Sequence, residues 1–135
     1  MAYQSDESGR DEIYIRPFAE PGASAASATA VGGQWQVSTA GGIYARWRRD
    51  GRELYYLAPT GALMAAPITV TGATLAPGAP VALFPTRIVG VGADTTGLGR
   101  QYDVTRDGRF LINTVLDEAV APITLIQNWD PEAKK

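Results

Sequence analysis

The chain has 135 residues, 45% hydrophobic and 19% charged, with a formal net charge of −2. That is the balance of one folded domain or of a segment of a larger one, and it excludes a disordered chain and a global basic field for nucleic acid or an anionic membrane. With neither cysteine nor histidine, the chain offers no disulfide, no thiolate metal site, no cysteine nucleophile and no histidine-based catalytic set.

The predicted elements are all strands. The 15 glycines and 9 prolines punctuate short runs with period-two alternation and no long helical period. Ten strands are expected, at about 2–5, 12–18, 35–38, 44–47, 53–58, 63–69, 81–84, 101–104, 110–115 and 123–129. In the second, Ile13, Ile15 and Pro17 point one way and Tyr14, Arg16 and Phe18 the other. Residues 19–33 are rich in alanine, serine and glycine, but Pro21, Gly22, Gly32 and Gly33 and the lack of an apolar stripe favour a loop over a helix. Asp50-Gly51 and Asp107-Gly108 predict tight hairpins, because glycine accepts positive φ and aspartate bonds its own backbone. Pro59-Thr60-Gly61 and Asp117-Glu118-Ala119 read as further turns, 71–80 as a Gly/Pro-rich connection, 85–99 as a long loop and 130–135 as a polar tail. No apolar run approaches the ~20 residues of a membrane span, so no membrane insertion by this chain is expected. Residues 1–7 lack the basic start and apolar stretch of a signal peptide, which an exported parent would carry upstream.

An internal repeat organises these elements. Residues 45–56 superpose on 102–113, a spacing of 57 residues, with Arg-Asp-Gly-Arg shared and Leu54 matching Leu111. Trp47 and Val104 each stand three residues before the shared aspartate. A short strand enters a hairpin turn and leaves as a longer apolar strand, twice. The first segment supplies a related strand pair around Ser8-Gly9-Arg10. The spacing exceeds the ~40–50 residues of typical propeller blades, and the loops between Val70 and Arg100 account for the excess.

On these residues the chain resembles the TolB-like, WD-repeat-like β-propellers. The resemblance runs through 3–18, through Trp35-Gln36-Val37-Ser38-Thr39, Gly41-Gly42 and 46–57, and through a final strand at 121–129. It is similar, more narrowly, to the C-terminal propeller end of large bacterial proteins, many of which carry an N-terminal serine/threonine kinase domain. Residues 19–33 are longer than that pattern usually allows. The resemblance implies an all-β partial propeller of two and a half to three blades, with segments at about 1–40, 41–86 and 100–130. The first blade would lack its innermost strand and the last its outermost, so open edges invite pairing, and either a truncated fragment or a homo-oligomer is expected. No kinase motif occurs here, so no kinase activity carries over. The compartment stays open; a membrane-anchored parent would place the module in the periplasm or outside the cytoplasm.

Few residues invite chemistry. Arg46, Arg48, Arg49 and Arg52 form the densest basic cluster, read either as a patch for phosphate or carboxylate groups or as a solvated hairpin beside Asp50 and Glu53. Strand alternation puts Arg46 and Arg48 opposite Trp47. Asp6, Glu7, Asp11 and Glu12 are oxygen ligands without a calcium-loop spacing, and a polar turn is the simpler reading. Residues 90–97 imitate a phosphate loop but lack its lysine and a third dinucleotide glycine. Ser24 and Ser27 have no base to activate them. Tyr14, Trp35, Trp47, Tyr55, Tyr56, Tyr102 and Trp129 are expected mainly in the core, with a sugar or peptide groove as the alternative. The expectation is a non-catalytic module for protein interaction or sensing, with no catalytic residue, cofactor or metal. The alternatives are an accessory propeller of a hydrolase or lyase-type enzyme, and a fragment that self-assembles to complete a propeller.

Overall fold

The computed structural model describes residues 1–17, 33–72, 74–88 and 101–114. These residues form no helix and ten strands: β1 (Ala2–Ser5), β2 (Glu12–Ile15), β3 (Trp35–Gln36), β4 (Ile43–Trp47), β5 (Glu53–Leu57), β6 (Ala62–Thr71), β7 (Thr74–Pro77), β8 (Val81–Pro85), β9 (Tyr102–Val104) and β10 (Phe110–Ile112). All pairings are antiparallel and make three sheets: β1-β2-β3, a central sheet in which β5 joins β4 to β6 and both β7 and β8 pair with β6, and the pair β9-β10. The predicted strand at 123–129, the turn at 117–119, the tail at 130–135 and most of the 19–33 connection and 85–99 loop lie outside the described residues.

The layering follows from alternation in β5. Leu54 and Tyr56 turn to one face, where Ala66 and Ile68 of β6 join Ile13, Ile15 and Val37 of the first sheet and its margin. Tyr55 and Leu57 turn to the other, where Leu63 and Ala65 meet Ile88 and Tyr102. The register sets Leu54 against Ala66 and Tyr55 against Ala65, so a large side chain meets a small one on each face. β5 and the part of β6 that faces it are therefore buried on both sides. Each fully buried leucine or isoleucine contributes about 1.5–3 kcal/mol, against about 0–1 kcal/mol for an exposed ion pair. Two-sided burial, and not the charged hairpins, holds the layers together.

A bulge adjusts β4 to this scheme. Its register with β5 shifts between Ile43 and Arg46, and Tyr44 takes φ 57°, the one non-glycine residue with positive φ among the described residues. The extra residue lets Ile43 and Tyr44 both pack toward the third sheet, while Ala45 and Trp47 pack toward the first. Tyr102 Oη donates to the Tyr44 carbonyl at 2.7 Å and ties β9 to the bulge.

The 71–80 segment is not a plain connection. Thr74–Pro77 is a strand, and β6 runs to Thr71, beyond the expected end at 69. The breakers Pro77, Gly78 and Pro80 interrupt the return strand between β7 and β8 without abolishing it. Gly78 N–H donates to the Pro67 carbonyl at 2.7 Å. A Cβ on Gly78 would lie 2.8 Å from the Pro67 ring, so only glycine can pass proline there.

The β1-β2, β4-β5 and β9-β10 hairpins share one turn, which β5-β6 repeats at Gly61. Gly9, Gly51 and Gly108 have φ of 87°, 71° and 82°, and their N–H groups donate to the carbonyls of Asp6, Arg48 and Thr105. The loops differ in length, however. Seven positions separate Trp47 from its partner Leu54, and six separate Val104 from its partner Phe110. One residue reverses side-chain parity, so the two matched leucines part company: Leu54 is fully buried and Leu111 is 73% exposed. Leu54→Ala is expected to cost about 2–5 kcal/mol and Leu111→Ala to stay within about 0.5 kcal/mol. Urea unfolding of the two variants checks this, and equal losses would refute the register.

Candidate functional site

Two adjoining hollows lie at the end of the central sheet that carries the β4-β5 and β6-β7 hairpins. The first is a cleft of about 310 Å³ between the first and central sheets, bounded by Ile15 and Arg16, by Trp35 and Trp47, and by Val70 and Leu75. Trp35 is placed there by its pairing with Ile15. Its ring lies against Gly33, where a Cβ would sit 2.6 Å from the indole. Trp47 closes β4 just before the Arg48–Arg52 turn, and both tryptophans are half-buried. Tyr14 carries Tyr3 on its ring at 5.8 Å, and the Arg16 guanidinium lies 5.1 Å from the Tyr3 centroid. This stack holds a cation at the cleft rim. The second hollow, about 420 Å³, is lined by Asp50, Gly51 and Arg52 of the hairpin and Ile68, Thr69 and Val70 of β6.

The four arginines do not converge. Arg46 is half-buried against β9 on the face away from Trp47, where its Nη1 donates to the Ala45 carbonyl at 2.9 Å and its Nε finds no partner among the described residues. Tyr44 Oη is likewise buried without a partner among them. Arg48 is occupied in its own hairpin, 3.3 Å from Asp50 and 3.1 Å from Glu53, and the hydrogen bond to Glu53 raises its pKa. Glu53 also accepts from Tyr55 Oη at 2.6 Å. Burial first, then this bond and the carboxylate charge, push the Tyr55 phenol up to about 12. Arg49 and Arg52 are exposed and have no carboxylate partner among the described residues. Only Arg52 borders the second hollow.

The acidic turn divides too. Glu7 stays at the surface, accepting from Ser5 at 3.0 Å and Gln34 at 3.2 Å. Glu12 is fully buried. It accepts from Arg10 Nε at 2.7 Å, from the Gly41 N–H at 3.0 Å and from Ser38 Oγ; Ser38 Oγ in turn accepts from the Ile13 N–H at 2.8 Å. Burial alone would raise the Glu12 pKa; the hydrogen bonds from Ser38, Arg10 and Gly41 and the Arg10 charge outweigh it and leave the pKa lowered. No group of three acidic side chains that could hold a metal occurs among the described residues. Of the aromatic set, Tyr14, Tyr55, Tyr56 and Tyr102 are buried. Trp129, Ser24, Ser27 and the 90–97 run lie outside the described residues.

The sequence favours the core for Trp35 and Trp47 and keeps a groove as the alternative; the two indoles are half-buried and line one cleft, and Val70 beside them carries no sequence signal. Comparison with protein-family models, curated proteins and solved structures yields no match.

The Glu12 network predicts acid sensitivity. A carboxylate whose folded pKa is depressed stabilises the fold above its unfolded value, and that contribution is lost as pH falls through the lower folded value. Glu12→Gln should cost about 1–3 kcal/mol at neutral pH and should flatten the decline of stability below the ordinary value of 4.5. Denaturant unfolding at stepped pH reads both effects, and a variant retaining the wild-type slope would count against the assignment.

Proposed function

We propose that the chain is part of a β-propeller of the TolB-like kind and serves as a non-catalytic module that binds a protein or peptide. Three features support the propeller reading: antiparallel sheets stacked face to face, a four-strand meander through β4, β5, β6 and β8, and the same glycine turn in each layer. The binding reading is carried by the Trp35–Trp47 cleft. Half-buried indoles at the mouth of an apolar cleft offer large contact area at low entropic cost. Among the described residues, Arg16 is the only ionisable side chain lining it, which suits binding better than acid–base chemistry.

A second reading, self-assembly through open edges, is favoured by β8. All five of its residues are exposed, including Val81, Leu83 and Phe84, and an apolar edge strand is a template for pairing. Light scattering over a concentration series should then show mass growing beyond one chain; a constant single-chain mass would dismiss this reading.

For the leading reading, an array of blocked peptides is expected to yield binders that change tryptophan fluorescence. Trp35→Ala and Trp47→Ala, each shown folded by circular dichroism, should weaken them at least about tenfold. Binding that survives both substitutions would move the site away from the cleft.

A further inference from the structure

β6 is ten residues long and β5 is five. Their ladder ends where the Ile68 N–H donates to the Arg52 carbonyl at 2.8 Å, because the chain turns away at Gly51 and Asp50. Residues two apart in a strand point their amides to the same side. The N–H and C=O of Val70 therefore face the side that β5 has vacated. The other side of β6 is occupied, with Thr69 facing Ala76 and Thr71 facing Thr74 of β7. What lies beside Val70 is the hollow of about 420 Å³. Its side chain, on the same face as Ile68 and 62% exposed, also borders the tryptophan cleft. A donor, an acceptor and an apolar pocket thus stand side by side at the end of one strand.

We propose that Val70 is a strand-addition point, where an extended peptide continues the ladder that β5 leaves unfinished. This rests on the reading of the chain as a peptide-binding module. One peptide residue would exchange two main-chain hydrogen bonds with Val70, and a large apolar side chain on the cleft face would enter between Trp35 and Trp47. The charge around the site selects the flanking residues. Arg52 lines the hollow and Arg16 the cleft rim, with Arg49 in the same hairpin, and none of the three pairs with a carboxylate among the described residues. The one acidic side chain bordering the hollow, Asp50, is already engaged by the Arg52 N–H at 3.0 Å and by Arg48 at 3.3 Å. The occupant is therefore an acidic peptide with a large apolar residue next to glutamate or aspartate, in extended conformation.

The test uses blocked heptapeptides with a central tryptophan or leucine flanked by glutamate, and the same peptides flanked by lysine. Fluorescence titration should favour the glutamate set by at least about tenfold, as expected for charge-assisted hydrogen bonds. Arg52→Glu should reverse that preference. Methylating the backbone nitrogen of the central peptide residue, which removes a donor without altering the protein, should weaken binding about tenfold. The Val70 amide should exchange more slowly with peptide bound. Val70→Pro removes the protein's donor at a position that pairs with Leu75 but points its N–H away from β7, and should act like the methylated peptide. Peptides that bind and depend on Trp35 and Trp47, yet ignore methylation and leave Val70 exchange unchanged, would overturn strand addition while leaving the recognition module standing. Lysine-flanked peptides binding as well as acidic ones would overturn the charge assignment. Absence of binding by any peptide would overturn both the inference and the reading beneath it.

Discussion

A carboxylate shut away from water joins the first two sheets. Glu12 sits in β2, yet its three donors come from the turn before it, Arg10, and from the segment leading into β4, Ser38 and Gly41. Gly42 N–H adds a bond to the Asp11 carbonyl at 2.8 Å. A Cβ on Gly42 would approach Ser38 Oγ at 2.8 Å and Tyr56 at 2.9 Å, so the crossing is as narrow as a backbone allows. Stripping partners from a buried charge costs about 3–5 kcal/mol, more than any exposed ion pair of the hairpins supplies. The junction is therefore made of mutually dependent parts, and the spacing between Ile15 and Trp35 on one side and Trp47 and Val70 on the other depends on it.

The chemistry of the cleft follows from the same layering. Two-sided burial of β5 commits the apolar side chains of the middle of the sheet to neighbouring layers. The ends of β4 and β6 outrun that cover, and there the apolar face continues without a full complement of neighbours. Trp35, Trp47 and Val70 collect at that boundary, next to arginines whose hairpin supplies fewer free carboxylates than it has cations. The cleft arises where packing runs out, without any dedicated insertion.

How much of this was readable beforehand depended on range. Turns were legible, since Asp50-Gly51 and Asp107-Gly108 state a local backbone requirement, and so were strands such as Glu53–Leu57, a short apolar and aromatic run bounded by turn residues. Glu12 was taken for part of a polar turn because Ser38 and Gly41, which make its burial tolerable, lie 26 and 29 residues away. β7 was hidden by Pro77 and Gly78, which read as breakers although each finds a permitted place beside β6. Val70 looked like any outward strand residue; its free edge exists only because β5 starts at Glu53, and that depends on the register of another hairpin.

That register bears on how far the two like segments are equivalent. The Arg-Asp-Gly-Arg segments look interchangeable, yet the loop beside the second is one residue shorter between paired positions. Copying one segment over the other would carry the wrong parity with it, turning a buried leucine outward or driving Phe110 away from Tyr55, whose rings now meet edge to face at 4.9 Å. The two segments are therefore not interchangeable within this fold, however alike they read: each is fitted to its own layer by the length of its loop.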